Sequence, residues 1–262
     1  MSNILAQFLS RCEPLPSLKN AFSVLPTYGN FFSEFWQFKK EQKKISNNIP
    51  VRYRDLFPQL LDRTQDHGFD RHYIYHTAWA ARVLAKSKPR LHIDISSSLY
   101  FSAIASAFVP IKFYDFRRIH LELKGLKTAR ADLTHLHFKS NSLLSVSCMH
   151  TIEHIGLGRY GDPLDPNGDL KAIQELIRVV SAGGQLLIVV PVGKETKVMF
   201  NAHRIYSVDY IKKVFTPLKL KEFALIPEHS EQGLICNPRQ NVLKTEVYAC
   251  GCFWFVKPKL KT

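Results

Sequence analysis

Between about residues 89 and 217, short apolar runs alternate with segments of helical period. LHIDIS, IKFYDF, ARADL, LLSVSCMH and QLLIVVP have strand length and are rich in β-branched and aromatic residues, while helical segments run through Phe108 and onward from Pro166. Such alternation predicts a mostly parallel sheet with right-handed crossovers. The helix from Pro166 is marked at both ends. Asp165 suits its cap and Pro166 its first position, Leu170, Ile173, Leu176, Ile177 and Val180 form one apolar stripe, and Gly183 with Gly184 supplies a stop. Beyond residue 217, LKLKEFALIPE and VYACGCFWFVKP read as two more strands, joined by a loop containing Pro227, Gly233 and Pro238. An antiparallel pair closing the sheet follows.

Residues 1–88 lack this alternation and are expected to form a helical extension, with 89–262 as the α/β domain. Breaks are expected around Pro14, Pro16, Pro26, Pro50 and Pro58, with one clear helix, HYIYHTAWAARVLAKS, whose Tyr75, Trp79, Val83 and Leu84 recur at helical spacing. Lys39, Lys40, Lys43 and Lys44 follow the aromatic residues Phe31, Phe32, Phe35 and Trp36. This pattern fits peripheral contact with a membrane or nucleic acid, but fits better a solvated charged face behind a packed aromatic one.

Composition narrows the class. A chain of 262 residues, 45% hydrophobic, can bury one sizeable core, and a formal charge of +14 attracts anionic partners. Five cysteines without CxxC pairs suit a reducing compartment, and Cys250 and Cys252 should face the same way in a strand. No apolar run approaches the roughly 20 residues of a membrane span, and no basic-then-apolar leader opens the chain, so a soluble cytoplasmic protein is expected.

Ligands of open α/β sheets sit beyond the carboxyl ends of the strands. Between Leu143 and His203, that rule selects the polar residues just after the apolar runs: His150, Glu153, His154, Asp162, Asp165 and His203. The string HTIEH also matches the inverted zinc-peptidase pattern, which needs a sustained helix to place His150 and His154 on one face. Its surroundings oppose that: LLSVSC before it is strand-like, and Gly156, Gly158, Gly161 and Pro163 follow. No metal is expected, and the two histidines should not converge on one ion.

The order of elements, with HYIYHTAWAARVL, HIDISSS, FYDFR, MHTIEHIGLGRYGDPLDPNGDL, GGQLLIVVPVG and FNAHRIYS, resembles the class I S-adenosylmethionine-dependent methyltransferase superfamily, and within it an uncharacterised domain-of-unknown-function subfamily, over about residues 55–257. The resemblance implies a Rossmann-like, mostly parallel seven-stranded sheet with a C-terminal antiparallel hairpin, and S-adenosylmethionine as cofactor. It assigns Asp94, Ser96 and Ser98 to the turn beside the methionine part, Asp115 to the ribose hydroxyls, Phe116 to the adenine, Asp132 and Leu133 to the adenine edge, and His150 to the cofactor wall. Ser96, Ser98 and Tyr100 replace the superfamily's glycines; a turn that avoids positive φ would accommodate them.

In that reading His154 is the first choice for the base that takes a proton from a hydroxyl acceptor, since an imidazole ordinarily titrates near neutral pH. His203 is second and Asp162 an orienting carboxylate; alternatively, His154 only braces the glycine-rich loop. Arg159, Tyr160, Asn201 and Arg204 either surround an acidic or nucleotide-linked acceptor or pair with Asp162, Asp165 or Asp169 to pin the loop. The resemblance implies O-methylation of a sugar or glycan in surface-polysaccharide biosynthesis. The alternative is a methyltransferase-like scaffold without turnover. Nucleic acid ranks third, because no Asn-Pro-Pro-aromatic signature is present. The sequence specifies no oligomeric state.

Overall fold

The computed structural model describes residues 21–46, 49–60, 62–229 and 231–259. Expectations at Pro14 and Pro16 lie outside these residues. The chain divides into two compact units, Met1–Gly68 and Phe69–Thr262.

In the first unit, helix α1 (Ala21–Gln42) continues through Pro26, where a break was expected. Pro26 lies beyond the first turn described, so the helix gives up one backbone hydrogen bond there without ending. Phe35 is buried, whereas Trp36 stays exposed. Lys39 lies over the Tyr53 ring at 4.3 Å, so this ammonium is engaged by aromatic faces.

The second unit begins with helix α2 (Arg71–Ser87), started by the Asp70 carboxylate, which accepts from the Tyr73 backbone N–H, and ended by Lys88 in the left-handed region. This helix was expected in the extension. It belongs instead to the second unit because Trp79, Ala80, Val83 and Leu84 bury into the sheet's core. Strands β1 (His92–Ile95), β2 (Ile111–Asp115), β3 (Leu126–Arg130), β4 (Leu143–Met149) and β5 (Val180–Val192) are mutually parallel. Helices α3 (Leu99–Ala105) and α4 (Gly168–Val179) provide crossovers. A small hairpin, β6 (Lys197–Met199) with β7 (His203–Ile205), and helix α5 (Val208–Val214) follow. The chain ends with β8 (Lys219–Ile226), β9 (Ile235–Cys236), α6 (Gln240–Thr245) and β10 (Ala249–Val256).

The main sheet has 8 strands in the order β3-β2-β1-β4-β5-β10-β8-β9, with β10 antiparallel to both β5 and β8. The expected seven strands are present, and the short β9 adds an eighth at the edge beside β8. Alternation along β5 explains the layers. Leu186, Ile188, Val190 and Val192 face one core with Ile173 and Leu176 of α4, while Leu187 and Val189 face the other with Trp79 of α2. Each fully buried large aliphatic side chain contributes about 1.5–3 kcal/mol relative to exposure. Cys250 and Cys252 do share a face, in the second core.

Three local expectations are corrected. The strand read at ARADL is Leu126–Arg130, leaving Asp132 and Leu133 just past its end. Helix α4 starts at Gly168 rather than at Pro166, because Asp165 closes a turn by accepting from the Asn167 N–H with its side chain and the Gly168 N–H with its carbonyl. The same helix stops at Val179, before the two glycines: β5 begins at once, and Gly183 (φ +76°) lies within it where the register against β4 shifts.

Candidate functional site

The site is built where β1, β2, β3 and β4 end. Behind it lies a chain of buried polar groups. The Gln185 amide donates to Ser145 Oγ at 2.9 Å, Ser145 Oγ lies 2.7 Å from His92 Nδ1, and His92 Nε2 lies 2.8 Å from Ser147 Oγ. Ser147 donates to Asp94 Oδ1 at 2.7 Å, and the Ser102 hydroxyl donates to Oδ2. Asp94 is fully buried, and burial raises its pKa to about 6 despite these hydrogen bonds. It therefore does not line the cavity where it was expected to meet the cofactor; it anchors the turn from behind, since Ser102 belongs to α3 and Ser147 to β4.

In front of the turn is a cavity of about 550 Å³, within the range of small-molecule sites. Ser96, Ser98, Asp115, Phe116, Asp132, Leu133, His150, His154 and Asp162 all border it, so it gathers most of the residues singled out from the sequence. Asp115 ends β2 with a carboxylate 14% exposed, whose Oδ1 accepts from the Arg117 N–H at 2.8 Å. Asp132 forms a turn, with Oδ1 accepting from the Thr134 N–H and hydroxyl. Ser96 adopts positive φ (+56°), so the turn keeps the conformation that glycine favours, held by its N–H to the Tyr114 carbonyl and by the Thr151 hydroxyl on its own carbonyl. A non-glycine residue there costs about 1–2 kcal/mol. Tyr100 is 83% exposed and does not border the cavity. The residues present thus fit a nucleoside-sized cofactor: the serine turn leaves the space open, and a carboxylate stands at the end of β2.

The strand β4 delivers His150, also at positive φ (+53°), and the chain then makes a 3-10 turn, Ile152–His154. A turn this short cannot carry the peptidase helix, as anticipated. His154 Nδ1 sits 2.7 Å from the Ala202 carbonyl, which makes Nδ1 the protonated nitrogen and leaves the lone pair on Nε2, 3.9 Å from Glu153 Oε1. Ala202 is therefore the orienting acceptor expected of Asp162. Asp162 instead accepts from the Gly156, Gly158 and Tyr160 N–H groups and shapes the loop. Gly156 is required there, since a Cβ would lie 2.0 Å from the Asp165 carbonyl oxygen.

Arg204 is 5% exposed and donates to the Ile155 and Pro166 carbonyls, with Asp169 at 3.5 Å; it pins the loop and is not an acceptor contact. Arg159 donates to Ala202 O at 2.8 Å.

A second cavity, of about 400 Å³, adjoins the first and shares His150, His154, Tyr73 and Tyr160 with it. His203 borders only this one, and burial lowers its pKa. The second choice for a base is thus displaced from the cofactor-sized cavity because the hairpin β6–β7 carries it to the far side. Sequence reasoning missed His72, which belongs here: it lies one helical turn before His76 in α2, stacks on His150 with ring centroids 5.8 Å apart, and was read only as part of an amphipathic helix. No metal was expected anywhere in the chain, on the argument that His150 and His154 do not converge; His150 does gather with His72 and Cys250, whose ligand atoms lie within 4.8 Å of one another.

Residues 130–232 match a family model described as Caenorhabditis protein of unknown function, DUF268. No curated protein matches the sequence. Among solved structures, a candidate methyltransferase from Bacillus halodurans C-125 superposes with a TM-score of 0.50 at 14% identity, covering 70% of this chain and 99% of that one. The N-methyltransferase NodS from Bradyrhizobium japonicum WM9, solved in complex with S-adenosyl-L-homocysteine, gives 0.49 at 11% identity, over 85% of this chain and 98% of that one. Strand order, the antiparallel β10 and the first of these superpositions agree: the chain has the fold of the class I S-adenosylmethionine-dependent methyltransferases.

Proposed function

We propose that this chain is an S-adenosylmethionine-dependent O-methyltransferase acting on a small-molecule or glycan hydroxyl. The observation that carries the reading is the 550 Å³ cavity at the strand ends, which gathers Asp115, Phe116, Asp132 and Leu133 on one side and His154 on its wall. Bound there, S-adenosylmethionine would supply a methyl group on a positive sulfonium, which becomes a neutral thioether on transfer.

The protein's part is binding, alignment and proton removal. Asp115, at the end of β2, would accept hydrogen bonds from the ribose hydroxyls; Phe116 and Leu133 would give the adenine apolar faces, and Ser98 would provide a hydroxyl for the carboxylate end, whereas the Ser96 hydroxyl is donated to the Tyr114 carbonyl. His154 would take the acceptor's proton at Nε2, because Nδ1–H is committed to the Ala202 carbonyl. Alignment of acceptor and donor supplies much of the remaining rate. The +14 charge and Arg159 at the second cavity favour an acidic or nucleotide-linked acceptor, and a sugar hydroxyl agrees with the sequence resemblance.

Calorimetric titration with S-adenosylmethionine and S-adenosylhomocysteine tests the cofactor site. Micromolar binding, about 8 kcal/mol, is expected, with loss on Asp115→Ala. A folded protein that gives no heat at millimolar ligand would instead be a methyltransferase-shaped scaffold.

A further inference from the structure

The far side of His150 carries chemistry that the proposed methyl transfer does not use. His72 comes from the first turn of α2, His150 from the end of β4 and Cys250 from β10. The sheet order brings the last two to one end: β5 lies between β4 and β10, and Cys250 pairs with Pro191 near the carboxyl end of β5. We propose that His72, His150 and Cys250 form a zinc-binding site whose fourth position opens into the 400 Å³ cavity.

Three features beyond the cluster itself point to a cation. First, His150 Nδ1 lies 3.0 Å from Glu153 Oε1, so the carboxylate holds the ring with Nε2 turned to the Cys250 sulfur, 3.4 Å away. A carboxylate behind the non-ligating nitrogen is the usual support of a metal-bound histidine. Second, Glu153 is 1% exposed, its Oε2 lacks a partner among the described residues, and its ion-pair neighbours among them are ring nitrogens, of His150 at 3.0 Å and His154 at 3.9 Å. Carboxylates this buried are expensive unless a positive charge compensates them, and a dication on the other side of His150 provides one. Third, His76 Nε2 is buried without a partner among the described residues, with its ring 4.9 Å from that of His150.

The donor set selects the metal. One thiolate and two imidazoles suit zinc, and three protein ligands with an open position is the pattern of zinc sites that bind a water or a substrate. Ligand atoms on a tetrahedral zinc sit about 3.5 Å apart, so a group already within 4.8 Å needs only small side-chain rotations. Cys250, a buried thiol, gives up its proton to solvent as the Zn–S bond forms.

The proposal stands independently of the methyltransferase reading. Elemental analysis of protein purified without chelator should find one zinc per chain. After stripping, cobalt(II) should bind stoichiometrically with a thiolate-to-cobalt charge-transfer band. That band should persist in Cys12→Ser/Cys236→Ser and vanish in Cys250→Ser. Cobalt affinity should fall about 10- to 100-fold in Glu153→Gln and at least as far in His72→Gln, a half-buried position that keeps the test open if Cys250→Ser fails to fold. Folded wild-type protein without stoichiometric zinc and without the band, or cobalt binding unchanged in His72→Gln, would overturn the site.

Discussion

Acid should destabilise this fold through His92 by about 2 kcal/mol at pH 5, and His92→Gln should abolish that loss. The ring is 0% exposed and both nitrogens are assigned. Ser147 donates its hydroxyl proton to Asp94, so it must accept from His92 Nε2–H; His92 Nδ1 is then the acceptor of the Ser145 hydroxyl. A second proton on the ring would have to displace Ser145 and bring a charge into the sheet. Burial accordingly lowers the pKa from 6.5 to about 3. The unfolded ring binds a proton below 6.5 while the folded ring does not until about 3, so the stabilisation is present above the first value and lost as pH falls toward the second. At about 1.36 kcal/mol per pH unit the loss reaches about 2 kcal/mol by pH 5. Asp94 acts in the opposite sense: burial raises its pKa from 3.8 to about 6, so the folded state gains as pH falls through 6, by about 1 kcal/mol at pH 5. The wild type should thus weaken by no more than about 1 kcal/mol from these two groups, while His92→Gln, after a fixed loss of about 1–3 kcal/mol for its hydrogen bonds, should strengthen. Urea unfolding of both proteins between about pH 7 and 5 reads the difference. Parallel profiles would refute the reasoning, because a ring already protonated, or solvated, in the folded state predicts no narrowing.

Gly156→Ala should destabilise the protein by more than about 2 kcal/mol in the same urea assay, since the added carbon meets the Asp165 carbonyl oxygen at 2.0 Å on a backbone with φ +83°. His154→Gln should leave S-adenosylmethionine affinity within about twofold while lowering turnover about 10²- to 10⁴-fold on an accepted hydroxyl, measured with labelled methyl donor. A fall in thermal stability and acceptor affinity together, with turnover per bound acceptor kept, would make His154 a loop brace.

The parallel strands were legible because their apolar runs are short, β-branched and separated by helical spacing, a pattern that burial on both faces imposes. Boundaries moved where a local hydrogen bond outweighed the pattern: Asp165 closes a turn instead of capping α4, and Ala129 to Leu133 looked apolar enough for a strand although pairing with β2 ends at Arg130. Strand-end residues such as Asp115 were legible because position on the sheet predicts cavity lining. Asp94 broke the rule by turning inward to Ser102 and Ser147, hydroxyls that nothing in the local pattern tied to it. His72, His150 and Cys250 share no motif, because only the strand order and the start of α2 bring such distant positions together.

The two cavities have His150, together with His154, Tyr73 and Tyr160, as a party wall. His150 borders both, its backbone fixed in the left-handed region and its ring tethered to Glu153, so an occupant on either side meets the same ring. Any free energy that one occupant gains or loses by turning that ring is felt by the other, and linkage makes the effect reciprocal: a guest that alters affinity next door by some factor has its own affinity altered by the same factor. Thermodynamically, the pair is a single receptor with two mouths.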